Sequence, residues 1–169
     1  IEQSLRSLRT DRIPLYYLHR VDPETPLEVS LGVIREYVDA GSIGLVGISD
    51  VTVEQIEAAR QVVPIGAVQN QYNVADRDHA DVVDYCEREG IAFVPYYPLH
   101  GSRPGVAAAA ERLGTTEDAV KLAWLLRRSP VTVPIPGGQG TVALAARYAY
   151  PAGLVTALVD DVRFHYWDY

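Results

Sequence analysis

Five apolar runs in this chain each end on residues equipped for chemistry. His19 and Arg20 close the run Leu15-Tyr16-Tyr17-Leu18, and Ser49 and Asp50 follow Ile43 to Ile48. Gln69 through Asn73 end the run that begins at Ile65, Tyr96 through His100 follow Ile91 to Val94, and Gly137-Gly138 follow Val131 to Ile135. An imidazole, a guanidinium, a carboxylate, a hydroxyl and several primary amides together offer hydrogen-bond donors and acceptors of every kind. Polar groups at the same end of successive strands build one binding mouth from distant segments, and a packed core has no need of them. The plainer alternatives are a surface histidine at a strand end, a helix cap at Ser49-Asp50 and a core aromatic at Tyr96.

These residues need a frame, and the chain supplies one by alternating short β-branched or aromatic runs with longer helical patterns. The runs are nearly continuous in apolar side chains, as in parallel strands covered on both faces. Pro26 to Ala40 puts Leu27, Leu31, Ile34 and Val38 on one helical stripe, with Thr25-Pro26 as cap and first-turn proline and Gly41 as stop. Thr52 and Gln55 have capping-box spacing ahead of Ile56, Ala59 and Val63. Further helices are expected over His79 to Glu89, Val106 to Leu113 and Glu117 to Arg128, the last with a basic final turn that suits the helix dipole and with Pro130 after it.

Five βα units admit an open doubly wound sheet of the flavodoxin type or part of a (β/α)8 barrel. Length favours the open sheet, because a complete barrel takes about 250 residues, more than the 169 here. Against it, Leu18-His19-Arg20-Val21-Asp22-Pro23 after the first run is polar and proline-bearing, where a flavin or nucleotide fold would carry a Gly-rich phosphate loop. The polar strand ends favour the barrel.

Composition sets the outer bounds. With 48% hydrophobic and 22% charged residues the chain is an ordinary globular domain, and 169 residues fit one domain. A net charge of −7 argues against nucleic-acid or anionic-membrane binding, since both partners require a Lys/Arg surface. No run approaches the roughly 18–20 apolar residues of a membrane span. Cys86, the single cysteine, excludes an internal disulfide and fits a reducing cytoplasm, with a small buried core residue as its plain role.

The motifs Leu15-Tyr16-Tyr17-Leu18-His19-Arg20, Val46-Gly47-Ile48-Ser49-Asp50, Val68-Gln69-Asn70-Gln71-Tyr72-Asn73, Pro95-Tyr96-Tyr97-Pro98-Leu99 and Pro134-Ile135-Pro136-Gly137 resemble, in order and spacing, strands four to eight of the aldo-keto reductases. The likeness runs from Ser4 to Gly137. It implies an incomplete barrel of about five βα units over residues 1–137, followed by a divergent tail over 138–169. It also implies hydride transfer between NADPH and a small aldehyde or ketone. His19 matches the family's histidine, whose neutral imidazole donates a hydrogen bond to the carbonyl oxygen. Ser49, Asp50 and Gln69 match the residues that hold the nicotinamide carboxamide, and Tyr96 matches the aromatic that stacks on the nicotinamide ring. Pro98, Leu99, Gly101 and Gly137 fall in segments that pass the rest of the cofactor. Asp50 stands where most relatives carry asparagine, and a carboxylate accepts from an amide nitrogen but cannot donate to an amide oxygen. Gln71 replaces a common glutamate, Pro14 a common aspartate, and His100 matches no family role.

After Gly137 the likeness fails: Thr141 and Arg147 are present, but the acidic-Asn pair that relatives use at the adenosine 2′-phosphate is not. NADP rather than NAD is therefore expected from the family alone, and an altered reading frame is one explanation of the tail. Beginning at Ile1 and containing no methionine, the chain is expected to be a piece of something longer. The family's catalytic tyrosine, lysine and aspartate, which lie on strands one to three, match no position here. The isolated chain is accordingly expected to have little or no reductase activity. An incomplete barrel leaves two strand edges, which invite self-association. A non-catalytic nucleotide-binding or self-associating barrel remnant is the competing expectation.

Overall fold

The computed structural model describes residues 1–136. The expectations for Gly137, Thr141, Arg147 and the tail over 138–169 lie outside the described residues. The elements run α1 (Glu2–Leu8), β1 (Ile13–Leu18), α2 (Leu27–Asp39), β2 (Ile43–Ser49), α3 (Val53–Val62), β3 (Ile65–Gln69), α4 (Ala80–Glu89), β4 (Ala92–Phe93), α5 (Pro104–Leu113) and α6 (Glu117–Arg128).

All four strands are parallel and lie in sequence order, β1-β2-β3-β4. That order separates the two architectures. Right-handed crossovers between successive neighbours carry every helix to the same side, which curls a sheet towards a barrel. An open doubly wound sheet instead reverses its strand order at a switch point. The buried core accordingly sits on one face. There Val46, Ile48, Val68 and Phe93 from the strands meet Leu31 and Ile34 of α2, Ile56 of α3, Val83 and Cys86 of α4, and Leu125 of α6.

Side chains alternate across a strand, so the opposite face carries Tyr17, Leu45, Gly47, Ser49, Ala67 and Gln69, in the registers Tyr17↔Gly47, Gly47↔Ala67 and Ser49↔Gln69. Leu45 on that face is 50% exposed. Tyr17 lies across Gly47 so closely that a Cβ there would enter the phenol ring. Gly47→Ala is therefore expected to cost about 1–3 kcal/mol by overpacking. Urea unfolding checks this, and an unchanged midpoint would show that the Tyr17 ring moves aside freely.

Local chemistry explains the element ends. The Thr52 hydroxyl accepts from the Gln55 amide N–H and the Gln55 side chain accepts from Thr52 N, completing the expected capping box of α3. The expected Thr25 cap of α2 is not made. Thr25 Oγ1 instead donates to Asp22 Oδ2 at 2.9 Å, closing the β1–α2 turn, while Pro26 occupies the N-cap without a side-chain bond. Gly41 stops α2 with φ +79°, its N–H on the Val38 carbonyl. Helix α1 has no expected counterpart: seven residues are too short to show an apolar stripe, and Arg9 ends it in the left-handed conformation.

The fifth run contributes less ladder than its apolar sequence implies. Phe93 N–H donates to Val131 O and Val133 N–H to Phe93 O, giving one parallel bridge at Thr132. Pro130, Pro134 and Pro136 flank it, and a proline has no N–H to extend a ladder.

Candidate functional site

The carboxyl ends of β1 to β4 lie along one rim of the sheet, and the side chains found there are those singled out by position in the sequence. His19 and Arg20 follow β1, exposed to solvent. Ser49 ends β2, Gln69 ends β3 in register with it, and Tyr96 pairs with Gln71 in an isolated parallel bridge past β4.

Three of these residues are joined directly. Tyr96 Oη donates to Asp50 Oδ1 at 2.8 Å, and Arg20 Nε stands 3.4 Å from Asp50 Oδ2. Burial, and then the Asp50 carboxylate, push the Tyr96 phenol up to about 12, so it stays protonated and donates. Asp50 has φ +54°, a left-handed conformation that asparagine and aspartate tolerate better than most residues. Its N–H bonds the Gln69 carbonyl at 3.0 Å, and Ser49 Oγ donates to the same oxygen at 2.7 Å. The Ser49 hydroxyl thus keeps its lone pairs as acceptors. Among the described residues no protein group bonds the half-buried Gln69 side-chain amide.

Two buried asparagines hold this rim together. Asn70, 0% exposed, accepts from Val51 N–H through Oδ1 and donates from Nδ2 to Val51 O, stapling the β2–α3 loop to the end of β3. Asn73 Oδ1 accepts from the N–H groups of Ala75 and Asp76, while its Nδ2 donates to Tyr97 O at 3.1 Å. Tyr97 is 62% exposed with φ +50°, and it meets Tyr96 edge-on at 5.3 Å and His100 at 5.9 Å. Lys121 of α6, nearly buried, donates to the Leu99 carbonyl at 3.1 Å, which fixes the loop that carries Leu99. Gln71 Nε2 donates to Asp76 Oδ2 at 2.8 Å and so is used within its own loop.

Sequence position alone assigned no task to Asn70, Asn73, Lys121 or Arg20. The first two lie within the polar stretch after β3, which was the available signal; Lys121 sits in a helix pattern where a buried amine leaves no trace. Cys86 is fully buried and burial pushes its thiol up to about 12, so it serves packing rather than chemistry. Among the described residues no helix is long and apolar enough to cross a membrane, and no group of three or more His, Cys, Asp or Glu side chains could hold a metal ion.

A parallel sheet wound in one direction, with its helices outside and a polar rim at the strand ends, defines a (β/α) barrel-type protein with a ligand mouth. The sequence profile of the Aldo/keto reductase family matches residues 1–105. The chain belongs to the aldo-keto reductases, a family of oxidoreductases. It is 40% identical over 139 residues to an uncharacterised oxidoreductase of Schizosaccharomyces pombe, covering 79% of this chain and 45% of that protein. It is 38% identical over 130 residues to pyridoxine 4-dehydrogenase of Escherichia coli, covering 75% of this chain and 46% of that enzyme. The chain thus spans about half the length of the curated relatives it matches. Among solved structures, a thermostable aldo-keto reductase in complex with the inhibitor epalrestat superposes with a TM-score of 0.78 at 28% identity, over 95% of this chain and 64% of that one. An aldo-keto reductase from Klebsiella pneumoniae in complex with NADP and acetate shares the fold, with a TM-score of 0.73 at 24% identity over 94% of this chain and 62% of that one.

Proposed function

We propose that this chain supplies the nicotinamide-binding side of an NADP-dependent reductase of aldehydes or ketones. The observation that carries the reading is the Gln69 amide, which no other described residue bonds, beside the Ser49 hydroxyl on the rim where Tyr96 is tethered to Asp50. A primary carboxamide presents one acceptor oxygen and two donor hydrogens. Gln69 can donate to that oxygen and accept from that nitrogen, while Ser49 Oγ and the Asp50 carboxylate add acceptors only. The residues present therefore fit the group. NADPH, when bound, supplies the hydride. Tyr96 offers a ring face to stack on, His19 donates a hydrogen bond to the substrate oxygen, and Leu99 lies in the segment that passes the pyrophosphate. The name of the Escherichia coli relative and the ligand of the Klebsiella structure make a pyridoxine-like alcohol or aldehyde and NADP the first ligands to try.

We infer in addition that the chain by itself has little or no turnover, since no tyrosine here follows the family's catalytic motif. The competing reading, a barrel remnant that associates with itself, is favoured by the half-exposed Leu45 on the sheet face that no helix of the described residues covers.

A titration of the 169-residue chain with NADPH, followed by nicotinamide fluorescence, tests the proposal. Saturable binding is expected, with Gln69→Ala weakening it about tenfold, the value of one good hydrogen bond to a buried amide. Absence of binding overturns the cofactor reading and leaves the self-associating remnant. Turnover of a simple aromatic aldehyde above a His19→Ala control overturns the inactivity of the chain.

A further inference from the structure

The Asp50 carboxylate is held in an asymmetric setting. The Asp50 side chain is 28% exposed and faces the rim, whereas its cationic partner Arg20 is 71% exposed. Water therefore dilutes the field of the guanidinium more than that of the carboxylate. The second contact, from Tyr96 Oη at 2.8 Å, is a neutral donor that fixes the carboxylate in place without cancelling its charge. A net negative potential is consequently expected along the rim beside Ser49, Gln69 and Tyr96.

A nicotinamide ring carries one positive charge when oxidised and none when reduced. We propose that the Arg20–Asp50 pair sets the preference of this site between oxidised and reduced nicotinamide, Asp50 favouring the oxidised form and Arg20 restraining that bias. Arg20 is on this view a positioning and charge-balancing residue with no contact to the reacting atoms. The inference rests on the reading that nicotinamide binds at this rim, and it adds a direction: a site that holds NADP+ more tightly than NADPH makes the bound NADPH the stronger hydride donor, as suits carbonyl reduction more than its reverse.

The test is the ratio of dissociation constants for NADP+ and NADPH, measured by calorimetry at low salt on the full chain and three variants. Asp50→Asn keeps the left-handed backbone and an acceptor for Tyr96 Oη, and it is expected to shift the ratio about tenfold in favour of NADPH. Arg20→Gln removes an exposed charge and is expected to shift it about threefold in favour of NADP+. The double variant Arg20→Gln/Asp50→Asn removes both charges and is expected to fall between the two single variants. All shifts are expected to shrink at high salt. A role confined to holding the loop would move both affinities together and leave the ratio unchanged. Equal ratios in all four proteins, with both nucleotides still bound, overturn the charge-balance inference while the cofactor reading stands. Failure of every form to bind either nucleotide overturns both.

Discussion

Replacing Asn70 by alanine is expected to lower the unfolding free energy by about 2–4 kcal/mol. The side chain is 0% exposed and bonds both the N–H and the C=O of Val51, at 3.1 and 2.7 Å. Truncation leaves these two backbone groups without their partner, and an unsatisfied buried group costs more than the bond it replaces gains. Val51 is itself 1% exposed and leads into α3, so water has no ready route to take the place of the amide. Asn70→Asp retains the acceptor for Val51 N–H and loses the donor to Val51 O, so it should fall between alanine and the parent. Urea midpoints at constant slope measure all three. A midpoint for the alanine variant equal to that of the parent would mean that the loop is held by something other than this amide. Because Asp50 precedes Val51, a loosened staple should also release the Tyr96 contact.

Tyr96→Ala is expected to reduce NADPH affinity by about ten- to a hundredfold, the range seen when an aromatic platform under a heterocyclic base is removed. Tyr96→Phe separates the ring from its hydroxyl. It keeps the stacking face and loses only the 2.8 Å bond to Asp50, so a decrease of less than about fivefold is expected, as for a single partly exposed hydrogen bond. Fluorescence titration of the two variants reads the difference. Equal losses in both would place the value of Tyr96 in its tether to Asp50 rather than in its face.

The barrel-type winding was legible because two short-range signals coincide. Apolar runs such as Ile65 to Gln69 alternate with helical stripes such as Leu27, Leu31 and Ile34, and every run ends on polar residues. Both signals depend only on neighbours within a turn or a strand. Length pulled the other way, towards an open sheet, because the number of residues bears on whether a barrel can close and not on the order in which its strands pair. Where neighbours mislead, the local reading failed. Thr25 has the right type and place for a cap, yet Asp22 sits three residues earlier and takes its hydroxyl. Val131 to Ile135 has a strand's side chains, but its prolines leave too few N–H groups for more than a single bridge.

The sequence by itself determined the βα alternation, the membership of the family and the set of polar residues at the strand ends, since each is written in residue type and spacing. Only the tertiary structure decided how those residues engage one another. The Tyr96–Asp50 bond joins positions 46 apart in the chain and the Asn70–Val51 bonds positions 19 apart. Their existence depends on strand register and on two left-handed loop residues, Asp50 and Tyr97. Periodicity reports which face a side chain takes; a hydrogen bond needs a partner atom within about 3 Å and in line, and that requirement is met only once separate strands have been brought into register.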